Sequence, residues 1–398
     1  MAVALAPVGS RLGVIWLESA GGGAQRLVFA STDGVEVSPA HVVSAGRRFF
    51  ANWADTPQLA ATSDGAIVVT WLQRSAAGTY DYDVVAAASA DAGQTWCEPI
   101  KVNDDVGVGE HGFVSLVPVA GGVRAFWLDG RAMAAAPHGD SHDHAPNGGG
   151  MQVRTTTLRF DSGELTVAPS QELDDRVCEC CPTAAVAAKS GFVVAYRDRQ
   201  LPDELRDIGV VRSQGLATPA WEASRVPLAD GWKVSGCPVN GPAMDSISDA
   251  VVMVWPTGVK DQPSLQCAFS SDGGGSWGKA MAVEPMFAPG RPDVVMLPTG
   301  EAVVAWLGVR EDSATSETAG VLRLRRLRAD GGMGAVLDLA PMGLDRRSGY
   351  PRLARVGDSL IVTWTVASED GEGTTALRAM NVPVAEVPAP SALFKANH

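Results

Sequence analysis

The sequence is poor in the residues that carry most enzyme chemistry. Its 398 residues include six histidines, six cysteines and four tyrosines. No apolar run reaches the roughly eighteen residues of a membrane-spanning helix, so no such span is expected. Basic residues are outnumbered, 32 Lys+Arg against 45 Asp+Glu, for a formal charge of −13. Nucleic-acid binders carry the opposite sign, which excludes that class of partner. An acidic surface suits cations and neutral ligands better than phosphates. The opening MAVALAPVGSRLGVIW has no basic segment ahead of a long apolar stretch, so no signal peptide is expected in this sequence. What is present in quantity is apolar: 46% hydrophobic against 19% charged residues, the composition of a packed chain.

One phrase repeats along the chain. A short apolar run, a Gly- or Asp-containing turn and a second apolar run end on an aromatic. The aromatics are Trp16, Trp71, Trp127, Tyr196, Trp255, Trp306 and Trp364, spaced 51 to 69 residues apart. A period of this size marks a repeat architecture. The second runs, such as AIVVTW and VVMVW, are apolar throughout, as strands covered on both faces are. Four-stranded sheets packed face to face around an axis meet that requirement. The expectation is an all-β, seven-bladed β-propeller over residues 1–384, with a tail at 385–398 and six blades as the alternative.

Two segments share a turn pattern, SADAGQTW (Ser89, Asp91, Gly93, Trp96) and SSDGGGSW (Ser270, Asp272, Gly274, Trp277). Both match the Asp-box, and the chain thereby resembles the sialidase-like, BNR-repeat propellers. The resemblance implies that these eight residues are structural, turning the third strand of a blade into the fourth on the face away from the active site. It also implies an extracytoplasmic workplace, periplasmic or secreted. Turn chemistry supports the structural part: the carboxylate accepts turn amides, the glycine takes unusual backbone angles and the tryptophan covers the hairpin.

The irregular sequence falls in loops that this geometry assigns to the opposite face. RVCECCPT carries Cys178, Cys180 and Cys181, and SGCPVNGP carries Cys237 one blade later. The long 128–150 segment carries His138, His142 and His144, and His111 stands in a neighbouring loop. Pro182 and Pro238 each follow a cysteine and stiffen its loop. Three readings of the cysteines are open: a soft-metal site, a disulfide, or small packing residues. Thiolates favour copper(I) or zinc, and imidazole suits either ion. The leading expectation is a copper site built from the four cysteines, with His111 or His138, His142 and His144 as auxiliary ligands. Zinc ranks second, because a single C-x-x-C lacks the second pair of a zinc knuckle. Trp232, Asn240, Arg199, Asp129 and Arg131 are expected to flank the pocket. Cys97 and Cys267 read as core.

The family resemblance carries a rival. Sialidases hold a substrate carboxylate with three arginines and use a tyrosine–glutamate pair with an aspartate. The loops offer Arg291, Arg347, Arg352, Tyr350, Asp55 and Asp129, but spacing places no tyrosine–glutamate pair. The rival is therefore a glycoside hydrolase with structural cysteines, and a third reading is a non-catalytic glycan- or protein-binding propeller. Arg197, Asp198, Arg199, Arg206 and Asp207 are expected to form a salt-bridged rim beside the cysteine loop.

Overall fold

The computed structural model describes residues 3–133, 149–311, 318–367 and 375–390. Seven antiparallel sheets follow one another along the chain, each built from consecutive strands. The blades span residues 3–46, 58–101, 111–177, 184–221, 243–284, 290–341 and 352–383. The seven repeated aromatics all lie on second strands, and Trp71, Trp127, Trp255 and Trp306 are fully buried.

The core is divided among the blade interfaces. In the second strand of blade 2 (Ile67–Arg74), Ile67, Val69 and Trp71 pack toward blade 1, while Val68 and Leu72 pack toward blade 3. Blade 5 repeats this: Val251, Met253 and Trp255 face blade 4, and Val252 and Val254 face blade 6. A period-two chain clamped between two neighbours must be apolar at every position. The ring closes without strand exchange among the described residues. The first strand of blade 1 (Val3–Val8) lies beside that of blade 7 (Arg352–Val356), with Leu12, Ala354 and Ile361 forming the joint core.

Among the described residues blade 7 has three strands, and blade 3 departs from the four-stranded plan with five. Its third strand (Met151–Asp161) pairs at one end with Glu164–Val167 and at the other with Gln171–Val177. That second pairing delivers the chain to Cys178 at the lead-in to blade 4. The two Asp-box segments form matching turns. Ser89 Oγ and Ser270 Oγ accept the Gly93 and Gly274 amides at 2.9 Å. Asp91 accepts Thr95 N at 2.9 Å, and Asp272 accepts Ser276 N at 2.8 Å. Both turns join third to fourth strands, on the face opposite the cysteine loops.

Buried aspartates latch neighbouring blades. Asp55 accepts the Phe113 amide at 2.8 Å, Asp245 that of Met296 at 2.6 Å, and Asp293 that of Leu353 at 2.8 Å. Burial raises Asp55 to about 8 and Asp245 to about 6, and raises Asp293 too. These groups are neutral when folded and ionised when unfolded, between the ordinary carboxylate value near 3.8 and their raised values. Their contribution is complete below about pH 4 and is lost as pH rises through 6 to 8. Metal-free protein should therefore melt on the order of 5 °C lower at pH 8.5 than at pH 5.5. Asp55→Asn should remove part of that drop in differential scanning fluorimetry. An equal drop in the variant would reject Asp55 as a source.

Candidate metal centre

Cys178, Cys180 and Cys181 occupy the loop that leads into blade 4. The Cys178 amide donates to the Arg197 carbonyl at 2.9 Å, fixing the start of the loop against the second strand of that blade. Cys178 Sγ lies 3.4 Å from Cys181 Sγ and 3.8 Å from Cys180 Sγ. All three sulfurs fall within 4.8 Å of one another. Sulfurs bound to one ion at about 2.3 Å stand about 3.8–4.0 Å apart, whereas a disulfide needs about 2.05 Å. The six cysteines are all free.

Cys237 arrives from the lead-in loop of blade 5, with its thiol in hydrogen-bonding reach of Cys180. The two loops meet because position 241 is glycine. A Cβ there would stand 2.0 Å from the Pro182 carbonyl oxygen. Asn240 then joins three lead-in loops. Its amide donates to Cys181 Sγ at 3.3 Å, and its side chain accepts Arg291 N at 2.9 Å and donates to Pro289 O at 2.7 Å. The thiols grade from buried Cys178 and Cys181, through partly buried Cys180, to exposed Cys237.

The surrounding charge is positive. Arg197 is 1% exposed, and its hydrogen bonds go to the carbonyls of Asn240, Arg206 and Pro256. Its guanidinium stacks 4.6 Å over the Trp232 ring. Burial opposes ionisation of Cys181, but hydrogen bonds from Cys178 and Cys180, the Arg197 charge and the Asn240 amide outweigh it and lower its pKa. The Cys180 hydrogen bond pulls Cys178 down, yet its donation to Cys181 together with burial leaves it near 12. Cys180 is raised by its bonds to Cys178, Cys181 and Cys237, and Cys237 is lowered by the Cys180 bond. The cluster thus favours the ionised form of Cys181 most and that of Cys178 and Cys180 least.

The expected rim forms with different acids. Arg199 pairs with Glu179 and, at 2.8 Å, with Glu204; Arg206 pairs with Glu204 at 2.7 Å and Glu179 at 3.4 Å. Asp207 instead accepts the Gly231 amide at 2.9 Å, and Asp198 accepts Arg199 N at 2.7 Å. Asn240 touches Cys181, Trp232 lies under Arg197, and Arg199 pairs with Glu179 between the thiols. Asp129 and Arg131 belong to a different group. They pair with each other at 2.8 Å beside His111, whose ring faces Asp105 and Asp129 rather than sulfur. His138, His142 and His144 lie outside the described residues.

A tyrosine–glutamate pair is present that spacing could not place. Tyr82 donates to Glu110 Oε1 at 2.7 Å across 28 residues of sequence. Tyr82 is 1% exposed and stacked 4.1 Å from Phe50, and burial together with Glu110 drives its phenol well above its ordinary value. Those properties oppose nucleophilic use. The candidate carboxylate-binding arginines are also committed. Arg291 donates to Ser348 Oγ and to the carbonyls of Asp345 and Gly349, Arg352 to Thr56 Oγ1, and Arg347 to Asp345. Tyr350 donates to Val239 O at 2.8 Å.

No family profile and no curated protein matches the chain. Solved structures similar to it include the NanB sialidase from Streptococcus pneumoniae, at TM-score 0.47 and 10% identity over 97% of this chain and 68% of that one. The Trypanosoma rangeli sialidase in complex with sialic acid gives TM-score 0.47 and 11% identity over 87% and 55%. The β-propeller domain of the Trilobed protease from Pyrococcus furiosus gives 0.43 and 11% over 96% of each chain. At such identities the likeness concerns the fold alone. Among the described residues no helix is long and apolar enough to cross a membrane.

Proposed function

We propose that this propeller binds a soft metal ion, copper(I), through Cys178, Cys180 and Cys181, with Cys237 as the exposed fourth thiol. The observation that carries the reading is the convergence of three sulfurs at 3.4 and 3.8 Å beside a buried arginine. Thiolate ligands select soft ions. Copper(I) is favoured because the three converging ligands are all sulfur, whereas a closed all-thiolate zinc site needs a fourth sulfur and Cys237 reaches only Cys180 by hydrogen bond. Bound copper would supply a soft acceptor for sulfur. The chain's own residues orient the thiols, favour the ionised form of Cys181 and balance its charge. The exposure gradient gives the ion a path, captured at Cys237 and passed to Cys181.

An extracytoplasmic location accords with this role, since an ion on the thiols would protect them from oxidation. The glycoside hydrolase reading has weaker support, because Tyr82 and Tyr350 are buried and hydrogen-bonded and Arg291 is spent on Ser348 and backbone carbonyls. Anaerobically purified protein should show reactive thiols that one equivalent of Cu(I) protects from a thiol reagent. It should also withdraw Cu(I) from a chromophoric chelator and leave a fluorogenic sialoside intact. Unprotected thiols with no withdrawal of Cu(I) would end the proposal. Turnover of the sialoside, lost in Arg347→Ala, would replace it with the hydrolase.

A further inference from the structure

Blade 3 carries a second group of ligand-type side chains, separate from the sulfurs. Successive residues of a strand point to opposite sides. Glu110 turns toward Tyr82 and the Cys178 side, whereas His111 turns toward Asp105 and Asp129. The ligand atoms of these three residues lie within 4.8 Å of one another. His111 and Asp129 are fully buried, and the Asp105 side chain is 9% exposed.

The hydrogen bonding of His111 fixes its tautomer. Nδ1 stands 3.0 Å from the Tyr82 carbonyl oxygen, which can only accept, so Nδ1 carries a proton. Metal-binding imidazoles are commonly oriented in this way. Nε2 is buried without a hydrogen-bond partner, and so is Asp105 Oδ2. Nε2 lies 3.3 Å from Asp105 Oδ1 and 3.6 Å from Asp129 Oδ1. A bare lone pair aimed at two carboxylates is repulsive, so a positive charge belongs between them. A proton would draw the pairs in to about 2.7–2.9 Å. Ligands at about 2.0–2.2 Å around a tetrahedral ion stand about 3.3–3.6 Å apart, which is the spacing found.

The local charge also calls for an ion. Four carboxylates, of Asp83, Asp104, Asp105 and Asp129, face two cations, Lys101 and Arg131. Two negative charges are left over, the deficit that one divalent ion removes. We infer that Asp105, His111 and Asp129 bind a divalent cation, zinc by ligand type and spacing, independently of the thiols. Such an ion would pin the 102–110 loop to the second strand of blade 3 (Gly122–Asp129).

Chelator-stripped protein titrated with Zn²⁺ and with Co²⁺ tests this. Cobalt on thiolate gives an intense sulfur-to-metal charge-transfer band, whereas cobalt on oxygen and nitrogen gives only weak d–d bands. Cys178→Ser/Cys181→Ser protein should retain one ion per chain with d–d bands alone. His111→Gln, and separately the milder Asp105→Asn, should each lose one ion per chain and leave any charge-transfer band unchanged. Unchanged stoichiometry in both folded variants would overturn the inference, as would a cobalt spectrum of thiolate origin only.

Discussion

Cys181→Ser should weaken Cu(I) binding at least 100-fold, a loss of about 2.7 kcal/mol. Cys181 is the fully buried thiol most biased toward the ionised form. It accepts from Cys178, Cys180 and the Asn240 amide, and its charge faces Arg197. A serine oxygen is a hard ligand and a poor match for a soft ion. Cys237→Ser should cost less, about tenfold, and mainly slow the uptake of copper, because that thiol is exposed and touches only one of the three. Cys97→Ser is the control: its sulfur accepts the Ala88 amide at 3.2 Å in blade 2 and has no part in the site. Chelator competition and stopped-flow transfer read both quantities. Equal affinities for wild type and Cys181→Ser would sink the assignment.

Arg197→Met should destabilise the chain by about 3–5 kcal/mol, the cost typical of removing one partner from a buried charged pair. Methionine restores volume and no donors. The carbonyls of Asn240, Arg206 and Pro256 then lose a donor inside the protein. The Cys181 thiolate loses its nearest positive charge, so Cu(I) affinity should fall with stability. Arg197→Lys separates the two effects. An ammonium keeps the charge but cannot span three carbonyls in a fixed fork. It should recover much of the copper affinity and little of the thermal stability. Arg197→Met protein that binds copper as wild type does would remove the arginine from the site's electrostatics, whatever its melting temperature.

The repeat was legible because it rests on local chemistry. A strand between two blades must be apolar on both faces, and this writes a continuous run ending in an aromatic at every blade. The Asp-box turns were legible for the same reason, since Ser89, Asp91, Gly93 and Thr95 bond to one another within seven residues. The triplet Cys178, Cys180 and Cys181 could be read as a potential ligand set because one short loop fixes all three sulfurs.

Other features depended on contacts between distant segments. Cys237 reaches the triplet because Gly241 lets its loop close on Pro182. Arg197, first seen as a rim residue, proved to be a buried cation because four donors found carbonyls on three separate segments. The pairing of Tyr82 with Glu110 joins blade 2 to the loop before blade 3. His111 was grouped with the cysteines by loop and face, but strand alternation turns its ring toward Asp105 and Asp129. The sequence by itself determined the blades, their turns and the thiol loop, all set by neighbours along the chain. Which side chains share a centre was decided only by tertiary packing, because each centre takes ligands or counter-charges from segments the chain order keeps apart.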